Sequence, residues 1–293
     1  METELLVINI VKWKNKLNWG VFVDITRMDI SKTDYLLRSK SGGYTRMYFN
    51  SNENLRRILS NFDVKDKNVL SVLGSGDQAF HFYNRGARNV DVFDKNRLAI
   101  LYFYLRIWFI KYENIYYPPL RMNKSIIKRL LDKVEPKDVN ELDAFNYWHM
   151  YLDYFDDHDT KWLFHPTNPG IGYNRIDDLN RIKEILTNKK FNIFNVDISK
   201  DKVNDIKYDI IFKSNVTDYI FNNDYDSYLE NLDSLLSDDG IIVSTNVLYR
   251  YPNYKEVKKF IPRFVFSPMP KYYDSDKKEF VSPGYVYKKR VWY

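Results

Sequence analysis

Cysteine is absent from the 293-residue chain. Disulfides, thiolate nucleophiles and cysteine-based metal sites are therefore excluded. Histidine is scarce, with four copies. His81 falls in a helical stretch, and His149 and His158 lack metal-ligand spacing. His165 sits in a turn-rich loop from which it can reach a substrate. No metal is expected. No apolar run is long enough and free enough of charge to span a bilayer. The start, Met1-Glu2-Thr3-Glu4, is acidic and does not read as a secretory signal, so a cytoplasmic location is expected. Internal repeats and low-complexity linkers are missing too. The formal net charge is only +6, mixed along the chain, with short basic runs at Lys189-Lys190 and Lys288-Lys289-Arg290. Such runs read as solvated surface, which disfavours nucleic acid as a partner. The remainder, 44% hydrophobic and 29% charged, is ordinary for a globular protein.

The stretch from Val69 to Asp94 organises what is there. Val69–Leu73 has the length of a buried strand, and Gly74-Ser75-Gly76 permits a sharp turn and close approach of a ligand. Gln78–Asn84 reads as a helix stopped by Gly86, and Asn89–Phe93 as a second strand ending at Asp94. Upstream, Ser51 or Asn52 is a plausible N-cap for the run Leu55, Ile58, Leu59, Phe62, with Glu53 in its first turn. Downstream, a helix is expected from about Arg97 to Tyr116, apolar nearly all round. Such a helix is either buried by those that follow or exposed to lipid or a partner. Helices are expected around Ile126–Leu131 and Phe145–Phe155, then at Ile176–Leu186 and Tyr225–Leu236. Strands are expected at Phe191–Val196, Tyr208–Lys213 and, after an Asp239-Gly240 turn, Gly240–Thr245. Short strand-like pieces follow at Arg263–Phe266 and Gly284–Tyr287. This alternation predicts an α/β fold, a Rossmann-like doubly wound, mostly parallel sheet. Residues 1–48 are expected as an N-terminal extension, 49–118 and 170–293 as the core, and 119–169 as a helical insertion covering the active site.

Gly74-x-Gly76-x-x-Ala79 satisfies the dinucleotide fingerprint formally, and Asp94 lies at ribose-binding distance beyond it. A cap is the alternative role for Asp94. Asp77 inside the turn would repel a pyrophosphate but suit the ammonium and sulfonium of S-adenosylmethionine (SAM). Asp197, at the end of a later strand, is placed either to accept from an adenine amino group or to cap a helix.

V-L-S-V-L-G-S-G-D-Q-A-F followed by F-D-K-N resembles the SAM-binding core of class I methyltransferases. More narrowly, Ser75-Gly76-Asp77, Asp94-Lys95-Asn96, F-N-S-N-E-N-L and Y-D-I-I-F-K-S-N-V-T-D-Y-I resemble one family. It is the family of the SAM-dependent 3-amino-3-carboxypropyl transferase that starts betaine-lipid synthesis, with its bacterial relatives. The resemblance spans roughly residues 49–250. It implies SAM as cofactor, held by Gly74, Ser75, Gly76, Asp77, Asp94, Asn96, Asp197 and Ser214, and a small-molecule or lipid acceptor, with peripheral membrane contact left open. The acid usual inside the first strand is missing, with Ser71 and Val72 in its neighbourhood, and Gln78 stands where a third glycine is common. The methionine end of SAM is thus expected to be held differently. Asp218, with Asn215 and Tyr219, follows the fourth strand and is the candidate for general base and acceptor orientation; its alternative is a solvent-facing loop acid. Asn215 is not part of an Asn-Pro-Pro-Tyr motif, so nucleobase amino methylation is not supported. Methyl and aminocarboxypropyl transfer compete. A non-catalytic SAM-binding sensor or scaffold is the alternative from another class, and a nicotinamide-dependent oxidoreductase is a third reading that Asp77 disfavours.

Overall fold

The computed structural model describes residues 50–51, 53–119, 124–154, 175–214, 216, 220, 224–245, 264–269, 272–274, 279–281 and 284–289. The expected extension 1–48, the loop with His165, and His158 lie outside the described residues.

The strands are β1 (Asn68–Val72), β2 (Asn89–Phe93), β3 (Phe191–Phe194), β4 (Tyr208–Ser214), β5 (Leu236–Thr245), β6 (Phe264–Pro268), β7 (Tyr272–Asp274), β8 (Glu279–Val281) and β9 (Gly284–Lys289). Seven of them form one sheet in the order β3-β2-β1-β4-β5-β9-β6, and β7 pairs with β8. β1 to β5 are mutually parallel, and β9 runs antiparallel to both β5 and β6. The expected mostly parallel, doubly wound α/β sheet is therefore present. Strand order reverses between β1 and β4, the point at which such sheets open a crevice beyond their carboxyl ends.

The helices are α1 (Leu55–Ile58), α2 (Asp77–Asn84), α3 (Arg97–Trp108), α4 (Lys124–Leu131), α5 (Val139–Tyr154), α6 (Leu179–Asn188) and α7 (Tyr225–Leu235). β1 is buried on both faces. Val69 joins the apolar cluster that holds α2, α3, α5 and α6, whereas Leu70 joins the one under α7. Such two-sided burial is why the central strands read as unbroken apolar runs.

α3 is buried at every position from Leu98 to Trp108. α5 covers it: Trp148 Nε1 donates to the Leu101 carbonyl at 2.9 Å, and Phe145 meets the Trp108 ring edge-on. The all-apolar character of α3 is thus explained by coverage, and the helix offers no face to lipid. Among the described residues, no helix is long and apolar enough to cross a membrane. α3 is shorter than the sequence suggests. After Trp108 the coil widens into a π-helix, Phe109–Glu113, closed by Asn114 in the left-handed conformation (φ 57°). That turn redirects Tyr116 and Tyr117 back toward the glycine turn. The described part of the insertion, α4 and α5, packs beside α3; residues 155–174, where a cover over the strand ends would continue, lie outside the described residues.

β5 begins earlier than expected. Tyr208 pairs with Leu236 and Ile210 with Ile241, so the residues between bulge from the ladder and absorb the expected Asp239-Gly240 turn within the strand.

Candidate functional site

The two glycines of the turn do different work. Both have positive φ, 52° at Gly74 and 86° at Gly76. A Cβ at Gly76 would overlap the Phe103 ring of α3, so this glycine serves helix packing. A Cβ at Gly74 would meet only the Gln78 amide, at 3.5 Å, so Gly74 faces the open side of the turn. Close approach of a ligand is possible at Gly74.

Asp77 is not on that open side. It is 0% exposed. Its Oδ2 accepts from the Ser51 amide at 2.7 Å and from Ser75 Oγ at 2.9 Å. Its Oδ1 accepts from Arg106 Nη2 at 3.0 Å, Tyr116 OH at 3.2 Å and Tyr117 OH at 3.0 Å. Arg106, also 0% exposed, donates in addition to the Ser75 carbonyl. Burial works against the Arg106 charge, but the Asp77 carboxylate together with Tyr102, Tyr116 and Tyr117 outweighs it and holds the guanidinium's pKa above its ordinary value. Asp77, expected from the sequence to face the ligand, is therefore corrected to an inward-facing acid whose charge is matched by Arg106 of α3. Ser75 is likewise turned inward.

Asp94 lies where expected, at the end of β2. Its Oδ2 accepts from the Gly74 amide at 3.0 Å and its Oδ1 from the Asn96 amide at 2.8 Å. The acid is thereby pinned against the glycine turn. Burial pushes its pKa up to about 6, against the pull of these two hydrogen bonds. Asn96 caps α3, its Oδ1 accepting from the Leu98 amide at 3.1 Å. Asp197 Oδ1 accepts from the Ser199 amide and hydroxyl at 3.1 and 2.6 Å, which is the geometry of a local turn cap. Burial opposes its charge, but the Ser199 hydrogen bonds, Lys95 and Lys200 prevail and hold its pKa below the ordinary value.

Ser214 ends β4 with φ 53°, an uncommon conformation for a residue with a side chain. Its hydroxyl donates to Glu53 Oε1, as does the hydroxyl of Thr245 at the end of β5. Gln78 Nε2 and Ser51 Oγ approach Glu53 Oε2 at 3.4 and 3.5 Å. A 4% exposed carboxylate thus stands at the carboxyl ends of β4 and β5. Burial raises its pKa, and hydrogen bonds from Ser214, Thr245, Gln78 and Ser51 only partly offset this.

Glu53 is the residue that sequence reasoning missed. Its sequence position suits the first turn of a helix, but α1 is capped by Asn54, whose side chain accepts from the Arg57 amide. The missing acid of β1 was the available signal that another carboxylate had to be sought. Asn215, Asp218 and Tyr219 lie outside the described residues.

No family model matches the chain, and no curated protein matches it. Solved structures do. A TehB-like SAM-dependent methyltransferase from Corynebacterium glutamicum aligns at 12% identity with a TM-score of 0.42, over 82% of this chain and 90% of that one. The N-methyltransferase NodS from Bradyrhizobium japonicum, in complex with S-adenosyl-L-homocysteine, aligns at 8% identity and 0.40, over 80% and 83%. The PH0226 protein from Pyrococcus horikoshii aligns at 12% identity and 0.43, over 84% and 95%. Likeness this distant carries no function across.

Proposed function

We propose that this chain is a SAM-dependent transferase that moves a methyl or a 3-amino-3-carboxypropyl group to a small-molecule or lipid acceptor. One observation carries the reading: two carboxylates flank the glycine turn, Asp94 pinned to the Gly74 amide and Glu53 beside Gln78 on α2. A nucleoside lying over Gly74 would meet Asp94 with its ribose hydroxyls. A pyrophosphate laid along the turn toward α2 would meet Glu53, and a negative charge there opposes the attraction a helix N-terminus offers an anion. SAM has no phosphate and carries two cationic centres. Glu53, rather than the inward-facing Asp77, thus disfavours a pyrophosphate.

SAM supplies an electrophilic carbon with a good leaving group. The chain's part is alignment and exclusion of water. Asp94 orients the ribose, Asp197 stands for the adenine side, and Asp218 with Asn215 and Tyr219 serves the acceptor. Attack at the methyl carbon leaves S-adenosylhomocysteine, and attack at Cγ of the methionine portion leaves 5′-methylthioadenosine.

Calorimetric titration with SAM, S-adenosylhomocysteine, 5′-methylthioadenosine and NAD tests the reading. SAM and its products are expected to bind and NAD not. Binding of NAD without SAM refutes it. Product analysis with SAM and an acceptor pool then tells the two transfers apart.

A further inference from the structure

We infer that Glu53 and Gln78 form the seat of a primary ammonium, the α-amino group at the amino-acid end of the nucleoside ligand. The inference rests on the SAM reading above and names which residues hold that end.

Three observations converge. First, the expected acid of β1 is replaced by Ser71, whose hydroxyl donates to the Val72 carbonyl at 2.9 Å and brings no charge to the crevice. Second, the charge of Asp77 is matched by Arg106 inside the protein, so it is not free to hold a ligand cation. Glu53 is the acid that stands at the ends of β4 and β5, with Ser214 and Thr245 both donating to its Oε1.

The third observation is Gln78. It is 4% exposed. Its Nε2 donates to Glu53 Oε2 at 3.4 Å, which fixes which way the amide faces. Its Oε1 is buried without a hydrogen-bond partner. That oxygen lies 3.9 Å from where a Cβ at Gly74 would stand, beside the turn that a nucleoside would cover. A buried amide oxygen left unmatched is costly and is usually paired. The missing partner must donate a hydrogen bond next to a carboxylate. An ammonium meets both demands, since it carries three N–H donors and a positive charge and accepts nothing. A sulfonium has no N–H to offer Gln78, and a carboxylate would be repelled by Glu53. The left-handed backbone at Ser214, which carries its hydroxyl to Glu53, belongs to the strain that functional sites retain.

The test compares two ligands that differ in the amino-acid end. S-Adenosylhomocysteine has the ammonium, and 5′-methylthioadenosine lacks the whole aminocarboxypropyl arm. Each is titrated calorimetrically into the wild-type chain, Glu53→Gln and Gln78→Met. Loss of charge-assisted hydrogen bonds should weaken S-adenosylhomocysteine about tenfold to a hundredfold in Glu53→Gln. Gln78→Met should weaken it severalfold. Binding of 5′-methylthioadenosine should stay within about twofold of wild type in both, since that ligand makes none of the lost contacts. Equal losses for the two ligands, or no loss for either, overturn the inference. Should Glu53→Gln fail to fold, Gln78→Met decides alone. If wild type binds neither ligand, the SAM reading itself fails.

Discussion

Asp77→Asn tests the architecture beneath the glycine turn. The substitution keeps the shape and removes the charge that meets Arg106 at 3.0 Å, with both side chains 0% exposed. Arg106 would keep the Ser75 carbonyl and the faces of Phe80, Tyr116 and Tyr117, whose centroids lie 5.3, 5.1 and 4.8 Å from its Cζ. Those rings compensate in part, by about 0.5–2 kcal/mol each at best. Breaking one side of a buried ion pair costs about 3–5 kcal/mol. The lower end of that range is expected here, because the rings remain. In a chain of this size each kcal/mol lowers the melting midpoint by about 2–4 °C, so a drop on the order of ten degrees should appear in calorimetric melting. Urea denaturation should show a matching shift in midpoint with little change in slope. The double variant D77N/R106M should recover much of the loss, because an apolar pair of similar volume leaves no unmatched charge. If Asp77→Asn melts with the wild type and changes only nucleoside affinity, the inward-facing assignment is wrong and Asp77 faces the ligand after all.

Asp94, with its pKa raised by burial to about 6, should bind ribose hydroxyls as the carboxylate. Nucleoside affinity should therefore fall as pH drops through about 6, and Asp94→Asn should flatten that profile; an unchanged profile removes Asp94 from the site. The raised pKa also means that the folded state prefers the proton. Its contribution to stability is present below the ordinary carboxylate value of 3.8 and is lost as pH rises through about 6. Gly76→Ala should destabilise by about 2–4 kcal/mol in urea melts, since left-handed strain adds to the clash with Phe103. Gly74→Ala, where the space is ordinary, should cost only about 1–2 kcal/mol from the strain. Equal costs at both positions would contradict the different roles of the two glycines.

The sheet was legible because its central strands are short apolar runs closed by a glycine or a polar residue, as at Leu73-Gly74 and Phe93-Asp94. The burial of α3 was legible as an alternative, since a helix apolar all round has to be covered somewhere. What escaped were interactions between residues distant in sequence. Arg106 looks like an interruption in an apolar helix until Asp77, 29 residues earlier, is seen to face it. Glu53 resembles any acid near a helix start until Thr245, 192 residues on, donates to it. Asp77 points inward for a reason of the same kind: local spacing shows a carboxylate near a turn but not that Arg106, Tyr116 and Tyr117 draw it away from the ligand side. The π-helix after Trp108 has no periodic signature, because a single widened turn is too short to shift the apolar pattern.

The placement of β9 has a consequence for how the sheet closes. β6 precedes β9 in the chain, yet β6 reaches the sheet only through β9. Until β9 pairs, β5 is an open edge and β6 has no neighbour in the sheet. An unpaired edge of this kind invites pairing with other chains. Closure therefore depends on a late segment slipping between two earlier ones, with the β7–β8 hairpin as the tether that turns it back. A chain cut before Gly284 would lose two strands of the sheet rather than one, and would leave the edge next to Thr245, a Glu53 partner, unprotected. The integrity of the crevice is thus tied to the pairing of β9 with β5.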